Sequence, residues 1–240
     1  MLKAVRFGLL VPSSNTTMEH EFFAMIQMAE GEITLHTARM PLQQTTIDEL
    51  LKMESEAGAA ADRLAHADVD IICYGCTSGS LIHGLEFARG ISEKIQEKTG
   101  IPTVTTSEAV LAAIHQLRLN ALDVITPYTE DINQKEVAFL ESAGIKVRSI
   151  TGLGLVDNLE IGRQDPASLI PIVRENYMPN AEGGVFISCT NLRTIEIIQP
   201  LEDELRVPVF SSNTTSLFGV LKTLNISYTA ESYGRLLKST

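Results

Sequence analysis

The sequence predicts an α/β fold built from two similar, Rossmann-like lobes, each with a parallel sheet covered by helices. Runs of apolar β-formers alternate with segments of helical periodicity along all 240 residues, which is typical of parallel sheets that are buried on both faces. Several stretches of the first half recur in weaker form in the second half. Each half also contains a predicted strand that ends in a Cys-Thr step, at Cys76 and at Cys189.

The first half alternates strands and helices from its start. Residues 5–11 form an apolar run that Pro12 ends, which predicts a buried strand. Gly100 is a typical helix end, and Ser107 is the predicted N-cap of the next helix. The predicted strands of this half are 5–11, 33–37, 69–74 and 102–105, and its predicted helices are 19–30, 46–66, 81–98 and 107–117.

The second half repeats this alternation. Pro166 predicts the start of a helix, because proline is favoured in a first helical turn, and Asn158 lies in a glycine-rich loop before it. The predicted strands are 122–126, 145–150, 184–188 and 207–210, and the predicted helices are 131–143, 166–176 and 194–205.

An internal repeat suggests how the two halves are arranged. Residues 13–17 (SSNTT) recur letter for letter as residues 211–215. We therefore expect two lobes related by a pseudo-twofold axis, with a ligand cleft between the carboxyl ends of their strands. The first lobe would comprise residues 1–105 and 211–240, and the second would comprise residues 106–210.

Composition limits the partners of the chain. A net charge of -11 and a pI near 4.9 argue against nucleic-acid and membrane partners, which need a basic surface. No apolar run is long enough to span a membrane, and the first residues lack a signal-peptide pattern. Three cysteines suit free thiols in a reducing compartment. These observations predict a cytoplasmic protein, and a homodimer is expected from base rates.

The two Cys-Thr steps are the strongest indication of chemistry. Each cysteine lies where a strand gives way to a helix, beside free N–H groups, and such a position predicts a thiol with a lowered pKa. The alternative is that either cysteine only fills a core. Two thiols facing one ligand could divide the work, one adding to or deprotonating the substrate and the other donating a proton. The residues alone leave the roles of Cys76 and Cys189 interchangeable.

Metal and nucleotide chemistry find little support in the sequence. Cys73 and Cys76 form a Cys-x-x-Cys, but Cys73 lies within a predicted strand and is expected to be a core residue. The chain has no second ligand pair with zinc spacing. It also has neither a glycine-rich dinucleotide motif nor a P-loop. We therefore predict neither a metal nor a cofactor.

Three stretches carry a family resemblance. Residues 11–19 (VPSSNTTME), 76–80 (CTSGS) and 188–194 (SCTNLRT) resemble the signature blocks of maleate cis-trans isomerases, in the aspartate/glutamate racemase superfamily. The resemblance implies conversion of maleate to fumarate without a cofactor. Cys76 would add to the double bond as a thiolate and give a succinyl-cysteine-like adduct, in which the central bond can rotate. Cys189 would be the acid/base thiol on the opposite side.

The resemblance also implies that Tyr128 and Asn158 contact the substrate. Each has a structural alternative, a half-buried tyrosine at a strand end for Tyr128 and a turn residue for Asn158. Asn15, from the first block, has the alternative of a helix cap. The complete set of predicted substrate-binding residues is Ser13, Ser14, Asn15, Thr77, Tyr128, Asn158, Thr190 and Asn191.

Two other functions remain open. A racemase of an amino acid or a related acid would use the same two thiols to remove and return an α-proton. A non-catalytic dicarboxylate-binding protein would keep the cleft without the chemistry. A decarboxylase of the superfamily is disfavoured, because the relatives of that kind keep only the second-lobe cysteine.

Overall fold

The computed structural model describes residues 4–29, 31–179 and 183–238. It contains two four-stranded parallel sheets, with strand orders β2-β1-β3-β4 and β6-β5-β7-β8, and the predicted α/β fold of two similar lobes is confirmed. The strands are β1 Val5–Pro12, β2 Ile33–Met40, β3 Ile71–Tyr74, β4 Thr103–Thr105, β5 Ala121–Thr126, β6 Lys146–Gly152, β7 Gly183–Ile187 and β8 Val209–Ser211. The helices are α1 Met18–Ile26, α2 Ile47–Ser55, α3 Ala57–Ala65, α4 Thr77–Leu81, α5 Leu85–Thr99, α6 Thr106–Gln116, α7 Glu130–Ser142, α8 Asn158–Gly162, α9 Pro166–Asn176, α10 Ile195–Leu205 and α11 Ser212–Leu224.

The order of strands places both cysteines at the centre of the molecule. In the first sheet the central strands β1 and β3 are buried more completely than the edge strands, and in the second sheet the central strands β5 and β7 are buried along their whole length. Buried parallel strands are expected to be nearly continuous in apolar residues. Cys76 follows β3 and Cys189 follows β7, so the two thiols occupy equivalent positions in the two sheets.

Two of the predicted helices are each divided in two. The helix predicted over 46–66 is interrupted at Glu56, whose N–H bonds to Met53 O, three residues back. The helix predicted over 81–98 is preceded by the separate helix α4, and Gly84 between α4 and α5 has a φ of +85°. That φ lies in the left-handed region, which ends a helix and favours glycine. Helix α4 itself begins directly after Cys76.

The helices that follow the last strand of each sheet pack against each other. Helix α6 begins after Thr105, which caps it together with Glu108, so the predicted N-cap Ser107 is wrong. Ser211 caps α11 in the same way. Helix α11 also contacts β3 and β4 of the first sheet. The exact division of the chain into residues 1–105 with 211–240 and residues 106–210 stays a prediction.

Residues 4–29, 31–179 and 183–238 contain no helix that is long and apolar enough to cross a membrane.

Candidate active site

Cys76 is the N-cap residue of α4. Its Sγ accepts a hydrogen bond from Gly79 N at 3.4 Å, and Ser78 Oγ lies 3.8 Å from the same sulfur. The side chain therefore sits at the carboxyl end of a central strand and faces the first turn of a helix, as the sequence predicts. Only 4% of the residue is exposed.

Cys189 has an unusual backbone conformation. Its φ is +106°, which is rare for a residue with a side chain and is found where surrounding contacts enforce it. Its N–H donates to Ser212 Oγ at 2.9 Å, and Asn191 N donates to its Sγ at 3.4 Å. The Tyr128 hydroxyl lies near enough to this sulfur to lower the pKa of Cys189. The Cys189 thiol is thus fixed by contacts on several sides.

The predicted low thiol pKa is wrong for this structure. Burial raises the pKa of Cys76 to about 11 and that of Cys189 to about 12. The free energy lost when a thiolate leaves water exceeds the stabilisation that hydrogen bonds from the nearby N–H groups provide. The charge of Cys76 is itself one cause of the raised pKa of Cys189. The two sulfurs are therefore close enough for the ionisation of one to oppose that of the other.

One hydroxyl group connects the two cysteine segments. Ser212 Oγ accepts hydrogen bonds from Thr77 Oγ1 at 2.8 Å and from Cys189 N at 2.9 Å. Thr77 is the neighbour of Cys76 in the chain, so Ser212 holds both walls of the site. Ser212 is not among the site residues predicted from the sequence. The exact repetition of SSNTT at residues 211–215 was the signal that could have identified it.

Asn15 combines the role of a helix cap with a contact between lobes. Its Oδ1 accepts from Thr17 N and Met18 N at the start of α1, at 3.0 and 2.9 Å. Its Nδ2 donates to Thr190 Oγ1 at 3.1 Å, and Thr190 Oγ1 donates to Gly75 O at 3.2 Å. The helix-cap alternative is therefore correct, but the same side chain also links the two Cys-Thr segments.

Asn158 is the first residue of α8, and it is buried. The structure thus places it in a helix and not in the predicted loop. Its Nδ2 donates to Ser14 Oγ at 2.8 Å, and its carbonyl oxygen accepts from Asn191 Nδ2 at 2.5 Å. Asn191 Oδ1 in turn accepts from Thr16 N at 2.8 Å. These bonds join the second lobe to the SSNTT segment of the first.

Two loops, one from each lobe, meet beside Ser13 and Ser14. Thr45 N donates to Val156 O at 2.8 Å, and Gln44 forms an isolated antiparallel bridge with Asp157. A cavity of about 480 Å³ opens to the surface beside this contact. Ser13 is exposed there, whereas Cys76 and Cys189 are both almost entirely buried. The residues that line the cavity are Ser13, Ser14, Gln43, Gln44, Asp157 and Leu159.

The predicted site residues lie in one connected region. Tyr128 is fully buried, so the half-buried alternative does not apply. Ser13 and Ser14 both donate to Leu42 O through their hydroxyl groups, at 3.2 and 2.5 Å. Cys73, by contrast, is buried and free, as expected of a core residue. Among the described residues, no group of three or more His, Cys, Asp or Glu side chains could hold a metal ion.

Two buried carboxylates near the site were missed by the sequence analysis. Glu21 of α1 accepts hydrogen bonds from Thr194 N at 2.6 Å, Ile195 N at 3.3 Å and Asn213 Nδ2 at 2.7 Å. It thereby ties α1 to the start of α10 and to α11. Burial raises its pKa to about 7 in spite of these donors. An amphipathic helix pattern identifies a buried face but not a fully enclosed carboxylate on it.

Glu136 of α7 is the second missed carboxylate. It borders a small space between the lobes, together with Thr77, Ser107 and Phe186. Neither carboxylate oxygen has a hydrogen-bond partner of normal geometry among the described residues. Burial raises its pKa to about 7, and the nearby Ser188 hydroxyl offsets part of the rise. A buried carboxyl group without donors is stable only in its neutral form.

We expect the raised pKa of Glu136 to make folding stability fall with pH. Its pKa rises from 4.5 to about 7 on folding, so the folded protein holds a proton that the unfolded chain releases. The resulting stabilisation is complete below pH 4.5 and is lost as the pH rises through 7. Glu136→Gln should be about 3 kcal/mol more stable than the wild type at alkaline pH.

Urea unfolding at acidic and alkaline pH measures this difference. Burial of Glu21 also makes the free energy of unfolding fall with pH. The effect of Glu136 is therefore the difference in pH dependence between the wild type and Glu136→Gln. Glu141→Gln is the matched control, since Glu141 is an exposed carboxylate on the same helix. A wild type and a Glu136→Gln variant with parallel pH dependence would contradict the assignment.

Comparison with known proteins gives consistent results. A family model described as arylmalonate decarboxylase matches residues 7–237. A maleate isomerase of Geobacillus stearothermophilus is 34% identical, and the match covers 99% of this chain and 98% of the relative. The structure of a maleate isomerase from Pseudomonas putida S16, with a cysteine replaced by alanine and with maleate, matches with a TM-score of 0.96 and 27% identity over 99% of both chains. A cysteine-to-serine mutant of the maleate cis-trans isomerase of Nocardia farcinica, with a covalently bound succinylcysteine intermediate, has the same fold, with a TM-score of 0.95 and 22% identity over 98% of both chains.

Proposed function

Because the chain belongs to the arylmalonate decarboxylase family and is similar over its whole length to maleate isomerases, we propose that it converts maleate to fumarate without a cofactor. The observation that carries the proposal is the pair of thiols. One thiol comes from each sheet, and they are close enough for their charges to interact. The presence of Cys76 favours isomerisation over decarboxylation, for which the second-lobe cysteine alone would suffice.

In the proposed mechanism Cys76 acts as a thiolate and Cys189 as a thiol. The sulfur of Cys76 forms a bond to one alkene carbon, and the electron pair of the double bond moves to the other carbon. That carbon takes the proton of Cys189, which leaves a succinyl-cysteine adduct and a Cys189 thiolate. After rotation about the new single bond, Cys189 removes the proton again. The electron pair then re-forms the double bond and expels the Cys76 thiolate.

The negative charge that develops on the substrate needs hydrogen-bond donors. We assign this role to the amide side chains of Asn15 and Asn158 and to the hydroxyl of Tyr128, and one well-placed donor is worth about 3 kcal/mol. Asn15 and Asn158 now bond across the lobes to Thr190 and Ser14, and they would exchange these partners for carboxylate oxygens. The other proposed substrate contacts are Ser13, Ser14, Thr77, Thr190 and Asn191.

Proton NMR of the purified protein with maleate tests the function. We expect fumarate to appear without added metal or nucleotide. Loss of the α-proton of aspartate or a related acid in deuterated water, without turnover of maleate, would favour a racemase instead. Binding of maleate with no chemical change would identify a dicarboxylate-binding protein. The cytoplasmic location and the homodimer stay predictions of the sequence.

A further inference from the structure

Tyr74 is the last residue of β3, two positions before Cys76. It is completely buried, and its hydroxyl group has no hydrogen-bond partner among the described residues. Buried tyrosine hydroxyls usually find a partner, because an unpaired one carries the full cost of leaving water. The proposed mechanism assigns no role to this group. Its unpaired state therefore calls for an explanation.

The surroundings of Gly79 show where the hydroxyl points. A methyl group in place of the Gly79 hydrogen would lie 3.0 Å from Cys76 Sγ and 3.1 Å from Tyr74 Oη. Both atoms lie about 3 Å from the same point, so the sulfur and the phenol oxygen are at most about 6 Å apart, and a side chain at position 79 would crowd both of them. Met53 Cε would lie 2.7 Å from the same methyl group and closes the other side.

The second lobe contains a corresponding pair. There the Tyr128 hydroxyl lies near Cys189 Sγ and favours the ionised form of that thiol. Each reactive thiol therefore has one fully buried tyrosine beside it. In the first lobe, within the part of the chain that the structure describes, Cys76 Sγ has hydrogen-bond contacts only with Gly79 N and the more distant Ser78 hydroxyl.

We propose that Tyr74 is a second tyrosine of the active site and donates a hydrogen bond to the thiolate of Cys76 whenever that thiolate forms. The assignment rests on the proposed role of Cys76 as the nucleophile. The hydroxyl would stabilise the thiolate before addition and again when the C–S bond breaks. While sulfur is bonded to carbon its negative charge is gone, and the hydrogen bond is weakened.

The charges around Tyr74 keep it a donor. Burial is the largest cause of the raised pKa of Tyr74, and the charges of Cys76 and of Glu54 of α2 raise it further. Tyr74 therefore keeps its proton while Cys76 ionises. Glu54 itself is paired with Lys94 Nζ at 3.5 Å.

Thiol labelling tests the proposal without any substrate. A small methanethiosulfonate reagent reacts with thiolates, so its rate at each cysteine follows the ionised fraction. Peptide mass spectrometry measures the extent of labelling of Cys76 and of Cys189 in the same sample. Opening of the site exposes both thiols, so the ratio of the two labelling rates is insensitive to it. We expect Tyr74→Phe to lower the ratio of Cys76 to Cys189 labelling about 10-fold, the change expected for one lost hydrogen bond to a charged group. Tyr128→Phe should raise the ratio.

Thermal unfolding and kinetics separate this role from a structural one. Tyr74→Phe should keep or raise Tm, since the hydroxyl has no partner to lose. We expect kcat/KM for maleate to fall about 10- to 100-fold. The acidic limb of the pH profile of kcat/KM should move to higher pH. Tyr228→Phe is the control, because the buried Tyr228 hydroxyl donates to Met25 O at 2.7 Å. The Tm of that variant should be a few degrees lower than that of the wild type, and its pH profile of kcat/KM should be unchanged.

Two results would overturn the proposal. One is an unchanged labelling ratio in Tyr74→Phe. The other is a loss of Tm in Tyr74→Phe as large as in Tyr228→Phe without a shift of the pH profile. Because labelling uses no maleate, a protein that fails to form fumarate can still confirm or refute the role of Tyr74.

Discussion

Cys76→Ala is expected to lower kcat for the conversion of maleate to fumarate by about four orders of magnitude or more. Alanine cannot form the C–S bond, so the double bond of the substrate keeps its rigidity and no adduct can rotate. The fold should survive, because the side chain fills little volume and its main hydrogen bond is a weak one from Gly79 N. NMR-monitored turnover together with Tm measures both effects.

Cys73→Ala is the matched control for Cys76→Ala. Cys73 lies three residues earlier, is equally buried and interacts with Ser216 of α11. Its loss should reduce stability slightly and leave kcat within a few-fold of the wild type. Substantial turnover by Cys76→Ala, or a loss of kcat in Cys73→Ala as large as in Cys76→Ala, would show that Cys76 is not the nucleophile.

Cys189→Ser is expected to lower turnover by about two to four orders of magnitude, the contribution of a well-placed acid and base. A serine hydroxyl is far less acidic than a thiol, so the second carbon must take its proton from water, and the variant then lacks the thiolate that would remove this proton again. Return of the proton from the adduct is then the impaired step. We expect intact-protein mass spectrometry to detect a covalent adduct with the mass of one maleic acid on Cys76.

The double variant Cys76→Ala with Cys189→Ser is the control for the adduct. It should carry no added mass, because the attachment site is missing. Full turnover by Cys189→Ser would disprove the two-thiol mechanism. Loss of turnover without any adduct would place the role of Cys189 before addition, for example in binding the substrate.

Periodicity was enough to predict the two parallel sheets and the positions of both cysteines, since central strands are apolar and end where the polar segments begin. The breaks at Glu56 and Gly84 could not be predicted, because the apolar pattern runs through both positions. The thiol pKa values were predicted in the wrong direction. Helix N–H groups can be inferred from local sequence, but the depth of burial depends on how the lobes close over each other.

Several site residues were hidden for a related reason. Ser212 and Glu136 act through contacts between segments that are far apart in the chain, and a single sequence gives no direct measure of such distances. Asn15 shows that two interpretations can hold together, since its Oδ1 caps α1 while its Nδ2 bonds to Thr190 of the second lobe. The hydroxyl of Tyr74 was beyond prediction, because its unusual property is a missing partner.

During protein synthesis, the hydrogen bonds of Ser212 can form only after both cysteine segments have been made. The segments of both cysteines leave the ribosome before Ser212 does, yet they are joined through its hydroxyl and through α11, which packs against the first sheet. A nascent chain that stops before this helix would expose two unaligned thiols and no catalytic site. Contacts between such distant parts of a chain form late in folding. Isomerase activity should therefore appear only once the last helix has docked, and a ribosome-bound chain that ends before Ser212 should be inactive.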